Sequence, residues 1–237
     1  MKKLNVSYNN TKIEFELLLA HRKTMKIQIK APNTVIVTAP INVKEEWVLE
    51  KIKDKGAWII KKLEEVKSVQ IPAEKKFTNG ELFMYLGKEY PLQINIDTRL
   101  RKPKIMLWAE KIIVTAASKE NPVIRLSLEQ WYREMGQKVI EERVEYYQKF
   151  FPLKPRSVKV KEQKSIWGSC TGRNDLLFNW RCTMGVLTSI DYVVVHEMSH
   201  MIQKDHSKKF WSIVEGILPD YKERQGWLKI NGAKMNF

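Results

Sequence analysis

The chain is expected to be an α+β protein, and three observations lead there. Residues 1–40 and 82–115 are rich in period-two alternation of polar and apolar residues, the mark of half-buried strands. Residues 121–151 and 189–230 carry apolar residues at helical spacing. The 237 residues are 43% hydrophobic and 10% aromatic, enough for one large core or two smaller ones and too apolar for disorder. The expected layout is a β-rich N-terminal region over 1–120, with one helix at about 43–67, followed by helices with a small sheet over 121–237.

Taken in order, residues 12–17, 25–30 and 34–38 alternate as strands, with Pro32-Asn33 as a turn and Ala39-Pro40 ending the third. Asn42 with Glu45 resembles an N-cap pair, and Val48, Ile52, Ile59, Leu63 and Val66 recur at helical spacing, with Gly56 marking a break near 54–56. Trp47 and Trp58 read as packing residues, and His21 as a surface loop residue. Residues 68–80 read as a connector ending in the turn Thr78-Asn79-Gly80. Strands follow at 82–86 and 90–96, then a hairpin at 104–108 and 111–115. No internal repeat is evident.

Asn121-Pro122 opens a long helix that ends near Phe151-Pro152. Leu128, Trp131, Met135, Val139 and Val144 form its buried stripe, while Glu129, Arg133, Glu141 and Arg143 are expected to face outward. Residues 157–160 and 176–180 are candidate strands flanking a compact loop at 165–170. Thr188 with Asp191 reads as the N-cap pair of a helix over about 189–203. Ser207 caps a helix carrying Phe210, Trp211, Val214 and Ile217, Pro219 stops it, and a last helix covers 220–230.

The net charge of +15 permits weak nucleic-acid association through field alone, and equally describes a lysine-rich solubilising surface. No run of about 18 apolar residues exists, so no membrane span is expected. The N-terminus opens on charge and then turns polar, unlike a secretory signal. Cys170 and Cys182 make no disulfide framework, so a reduced, cytoplasmic setting is expected.

The chemistry concentrates at His196-Glu197-Met198-Ser199-His200. Histidines at i and i+4 lie on one helix face about one turn apart, so both imidazoles can reach one metal ion. Glu197 lies about 100° further round, placed for the ion's water rather than for its first shell. This is the His-Glu-x-x-His arrangement of zinc peptidases. His206 follows six residues after His200 and supplies a third imidazole, matching the three protein ligands plus open position of catalytic zinc. The apolar lead-in 189–195 makes the first histidine emerge from a buried segment.

Trp167-Gly168-Ser169-Cys170, Asn179, residues 191–200, His206-Ser207 and Phe210-Trp211 together resemble the YgjP-like metallopeptidase family, itself similar to the SprT-like and WLM-type zincins. Val37-Thr38-Ala39-Pro40 before a helix ending in Trp58-Ile59, Gly80-Glu81 and Tyr85-Leu86-Gly87 fit it too, so the resemblance covers nearly the whole chain. It implies a zincin-like metallopeptidase domain over 121–237, Zn2+ held by His196, His200 and His206, Glu197 as catalytic carboxylate, and a peptide or protein substrate. Met198-Ser199 stands where the family often has Leu-Ala.

An oxyanion formed in such a reaction needs a second stabiliser, and Ser169, Asn179 and the backbone of 167–170 are candidates. Strand 176–180 is expected to be an edge strand that accepts an extended peptide. Two other readings stay open. One is a nucleic-acid-associated zinc protein acting on DNA-bound proteins, suggested by the basic run from Lys149 to Arg173. The other is a non-catalytic zinc module, which would need a fourth protein ligand.

Overall fold

The structure is a computed structural model describing residues 2–30, 33–67, 74–163 and 165–237. Pro32 of the expected turn, residues 68–73 of the expected connector and Lys164 lie outside the described residues, as does the side chain of Val66. The protein is α+β, and it divides into two compact units, Met1–Pro72 and Ala73–Phe237. The boundary expected after residue 120 falls inside the second unit.

In the first unit, β1 (Lys2–Tyr8) and β2 (Thr11–Ala20) form a hairpin through Asn9 and Asn10, at φ 44° and 61°. Asparagine is one of the few residues other than glycine to enter that left-handed region readily. With β3 (Lys26–Lys30) and β4 (Thr34–Pro40) the sheet order is β1-β2-β4-β3, β2 and β4 being parallel. Alternation puts Ile13, Phe15, Leu17, Val35, Val37 and Ala39 on one buried face. Helices α1 (Glu45–Asp54) and α2 (Gly56–Lys67) lay Val48, Ile52 and Ile59 onto that face.

One expectation changes here and one holds. The helix starts at Glu45 with Lys44 as its N-cap, so Asn42 does not cap it. The break expected near 54–56 is present and divides the stretch into two helices, and at Gly56 the ring of Tyr8 lies so close that a Cβ would stand 2.3 Å from Tyr8 Cγ. Trp47 and Trp58 are 37% and 44% exposed, so neither is a core packing residue, and His21 is exposed.

The second unit opens with β5 (Leu82–Tyr85), β6 (Lys88–Ile96), β7 (Lys104–Trp108) and β8 (Lys111–Ala116), in the order β5-β6-β8-β7. This is the ladder of the first unit again, in the same register for three of its strands and with the fourth shifted by one residue, since Lys26 faces Thr38 and Lys104 faces Thr115. Tyr8 pairs with Thr11 as Tyr85 pairs with Lys88, and Leu17 pairs with Val37 as Ile94 pairs with Val114, each residue matching one 77 positions on. Left-handed Leu86 and Gly87 stand where Asn9 and Asn10 turn the first copy. The chain therefore contains an internal repeat of four strands followed by a helix, contrary to the sequence reading. In the second copy that helix is unbroken, α3 (Asn121–Gln148), and its Tyr132 hydroxyl donates to Met84 O at 2.6 Å.

The rest of the unit is built on α3. β9 (Ser157–Lys161), β10 (Gly168–Cys170) and β11 (Asp175–Asn179) form a small sheet in the order β10-β11-β9. Gln137 of α3 clamps β9: its amide nitrogen donates to Val158 O at 2.9 Å and its amide oxygen accepts from Val160 N at 2.9 Å. Strand 175–179 is paired on both sides, so it is not an edge; the edges are β9 and β10, the latter read as loop from sequence. After β11 come the 3-10 helix Trp180–Met184, α4 (Leu187–Ser199), α5 (Lys208–Ile217) and α6 (Tyr221–Asn231). Among the described residues no helix is long and apolar enough to cross a membrane.

Candidate metal centre

The cluster rests on α4, and α4 is fixed at its start by the repeat's hairpin. Leu86 and Gly87 donate their backbone N–H groups to Thr183 O and Met184 O at 2.7 and 3.2 Å, holding the 3-10 helix that leads into α4. A Cβ on Gly87 would sit 2.4 Å from Cγ1 of Val186, the α4 N-cap, so this contact and a φ of 80° both require glycine. The helix begins at Leu187, two residues before the expected start, and Thr188 lies inside it. Asp191, expected to pair with Thr188, faces inward instead. It accepts from Arg143 Nε at 2.6 Å and its other oxygen lies 3.6 Å from Arg224, so Arg143 does not face solvent as expected.

Ile190, Val193, Val194, Val195 and Met198 sink α4 into the core, which leaves His196 and Glu197 at the edge of a cleft of about 560 Å³. His200 is the C-cap residue and keeps a helical φ and ψ, its N–H donating to His196 O at 3.3 Å. The following turn brings His206 back. Its Nε2 lies 3.0 Å from Nε2 of His196 and 3.2 Å from Nε2 of His200, and the ligand atoms of all three rings fall within 4.8 Å of one another. Nitrogens about 2.1 Å from a shared tetrahedral metal stand roughly 3.3 Å apart, so the spacing suits one ion.

Protonation agrees with that use. Burial pushes His196 down to about 3 and His200 also downward, so both are neutral at physiological pH. His200 Nδ1 lies 3.0 Å from Gln203 O, and a carbonyl can only accept; Nδ1 therefore carries the hydrogen and Nε2 keeps its lone pair. Phe210 of α5 lies under all three imidazoles, with ring centroids at 4.8, 4.4 and 4.8 Å, and closes the cluster from behind. Among the described residues the cluster comprises these three side chains, one short of a closed structural zinc site.

Glu197 is 6% exposed, and burial pushes its carboxyl up to about 8 when no ion is bound, an effect that the charge of a dication on the neighbouring histidines would oppose. It faces β10, whose Gly168 and Ser169 line the cleft. Asn179 does not reach that cleft. Its amide donates to Gln163 O and Ile166 O at 2.8 and 3.1 Å and its oxygen accepts from Arg181 N, so it braces the loop before β10. The far wall is α6, with Gln225 and Leu228, which sequence reasoning did not connect to the site. Gln225 donates to the Tyr192 hydroxyl at 2.8 Å, and that hydroxyl stands 3.5 Å from His196 Nδ1. No sequence signal marks α6, since it meets α4 only through the fold. In the basic run, Arg156 is bound to Asp175 and Lys149 lies over the rings of Tyr146 and Phe150.

Three imidazoles converging beside the Glu197 carboxyl group in an open cleft make a site of the kind a metal-dependent hydrolase uses. The particular family follows from comparison with known proteins. The YgjP-like family, described as a metallopeptidase domain, matches residues 23–231, and the chain belongs to it. A metal cofactor and peptide or protein substrates go with that membership. No curated protein matches the chain, and no solved structure does.

Proposed function

We propose that the chain is a zinc-dependent peptidase with a zincin-like catalytic unit, in which His196, His200 and His206 hold the ion and Glu197 is the general base. The observation that carries this reading is the convergence of three Nε2 atoms at 3.0 and 3.2 Å with Glu197 next along the same helix. A zinc ion held there supplies Lewis acidity, acidifying water and polarising an amide carbonyl. Glu197 takes the proton of the attacking water and returns it to the departing amine nitrogen. Ser169, at the cleft wall, is the side-chain candidate for stabilising the carbonyl oxygen.

The ligand assignment is tested on the purified protein. Metal analysis is expected to find about one zinc per chain, and His206→Ala is expected to weaken zinc at least about 100-fold in competition with a chromophoric chelator. Unchanged affinity would show that the third ligand lies elsewhere.

Substrate is expected along β10 rather than along 176–180. Trp167 O accepts from Asn179 N and Thr171 N donates to Asp175 O, so residues 167, 169 and 171 form the hydrogen-bonded pairs with β11. The intervening Gly168 and Cys170 turn their N–H and C=O groups to the open edge beside Glu197. An extended peptide can add there as a fourth strand. Cys170→Pro removes one outward N–H without touching the ladder. It is expected to raise KM about tenfold on fluorogenic casein with zinc retained, and an unaltered KM would reject the edge.

A further inference from the structure

Glycine at 168 is not demanded by its backbone, which is ordinary strand with no left-handed φ. It is demanded by Glu197. A Cβ built on Gly168 would lie 2.6 Å from Glu197 Cγ, 2.9 Å from Oε1 and 3.0 Å from Cδ. The three nearest atoms all belong to that one side chain, so the carboxylate occupies the place where any other residue would carry its own.

We propose that Gly168 is a positioning residue, whose missing side chain forms the seat that aims the Glu197 carboxylate into the cleft. The inference rests on the reading of Glu197 as general base. Carbon atoms in comfortable contact stand about 3.5 Å apart, so a methyl group at 168 must drive the Glu197 side chain off by roughly 1 Å. Retreat toward α4 is restricted, because Glu197 is 6% exposed and Val193, Val194 and Met198 on that same helix are buried. The ligand histidines need not follow, since the displaced atoms belong to Glu197 alone and Phe210 holds the three rings from the other side. Gly168 thus acts on the base and leaves the metal ligands in place.

The test is Gly168→Ala in the full chain. Zinc content and affinity are expected to match wild type. The kcat on fluorogenic casein should fall about 100-fold, the size of loss that a 1 Å misplacement produces, with KM within about twofold. A second measurement does not depend on activity. In the metal-free protein Gly168→Ala should lower the unfolding midpoint by about 3 °C, and the loss should at least halve when Glu197→Ser has already vacated the seat. If Gly168→Ala alone fails to fold, the double variant should recover folding.

Weaker zinc binding in Gly168→Ala, an unchanged kcat, an equal midpoint loss in both backgrounds, or a double variant that still fails to fold would each overturn the proposal. Failure of the general-base reading looks different. Glu197→Gln would then keep its rate, while the thermal coupling between positions 168 and 197 would persist.

Discussion

Glu197→Gln is expected to keep one zinc per chain and to cut casein hydrolysis by about 10²–10⁴-fold, the usual range for a lost general acid–base group. The amide keeps the size and hydrogen-bonding reach of the carboxylate, so the pocket against Gly168 stays filled. It cannot accept a proton at neutral pH. Since Glu197 sits beside the three-histidine cluster and contributes no atom to it, the ion should remain. Zinc analysis on the samples used for kinetics separates the two effects. A Gln variant with wild-type turnover and full zinc would remove Glu197 from the chemistry and with it the peptidase reading.

The second large effect concerns the support of the metal-bearing helix. Arg143→Met is expected to destabilise the protein by about 3 kcal/mol, the usual cost of stripping one partner from a buried ion pair. Arg143 and Asp191 are only 14% and 8% exposed, and their two hydrogen bonds are 2.6 and 3.2 Å long. Without Arg143, the Asp191 carboxylate keeps the Tyr147 hydroxyl and the more distant Arg224, at 3.6 Å. Methionine retains much of the arginine stem's bulk, so the loss reports charge more than a cavity. The midpoint of the metal-free protein should drop by roughly 10 °C in calorimetry. A loss under about 1 kcal/mol would mean that Tyr147, Arg224 or water satisfies Asp191 without Arg143.

Much of the site was legible before any coordinates. The i, i+4 spacing of His196 and His200 carries its own geometry, and His206 was the natural third ring. What stayed hidden depends on contacts between distant segments. Gln225 lies 33 residues from Tyr192, and nothing in its surroundings announces the hydrogen bond. Asn179 looked like a donor to substrate, but the loop at 163–166 uses its amide. β10 was missed because three residues are too few to show alternation, and its pairing comes from β11. Of the fold, the strands and helices were largely readable, while the grouping of β5–β8 with α3 was not. Tyr132 reaching Met84 O is a tertiary fact, and Pro122 at a helix start imitates a new domain.

The repeat escaped detection for a related reason. Val37-Thr38-Ala39 and Val114-Thr115-Ala116 are the clearest shared run. Elsewhere the matching core positions keep apolar character without identity, as with Phe15 and Leu92 or Val35 and Ile112. Pleated register needs only the period of two, so sequence can drift while pairing persists.

Two interchangeable ladders in one polypeptide carry a hazard of their own. In an unfolded chain the shared register of β2 with β4 and of β6 with β8 would let β4 pair with β6, or β8 with β2, the kind of misassembly to which repeated units are open. Kinetics favours the correct outcome, because the first ladder closes entirely between Lys2 and Pro40 and nearby segments meet before remote ones. During synthesis that ladder can be complete before its double has left the ribosome, whereas refolding from denaturant presents both at once.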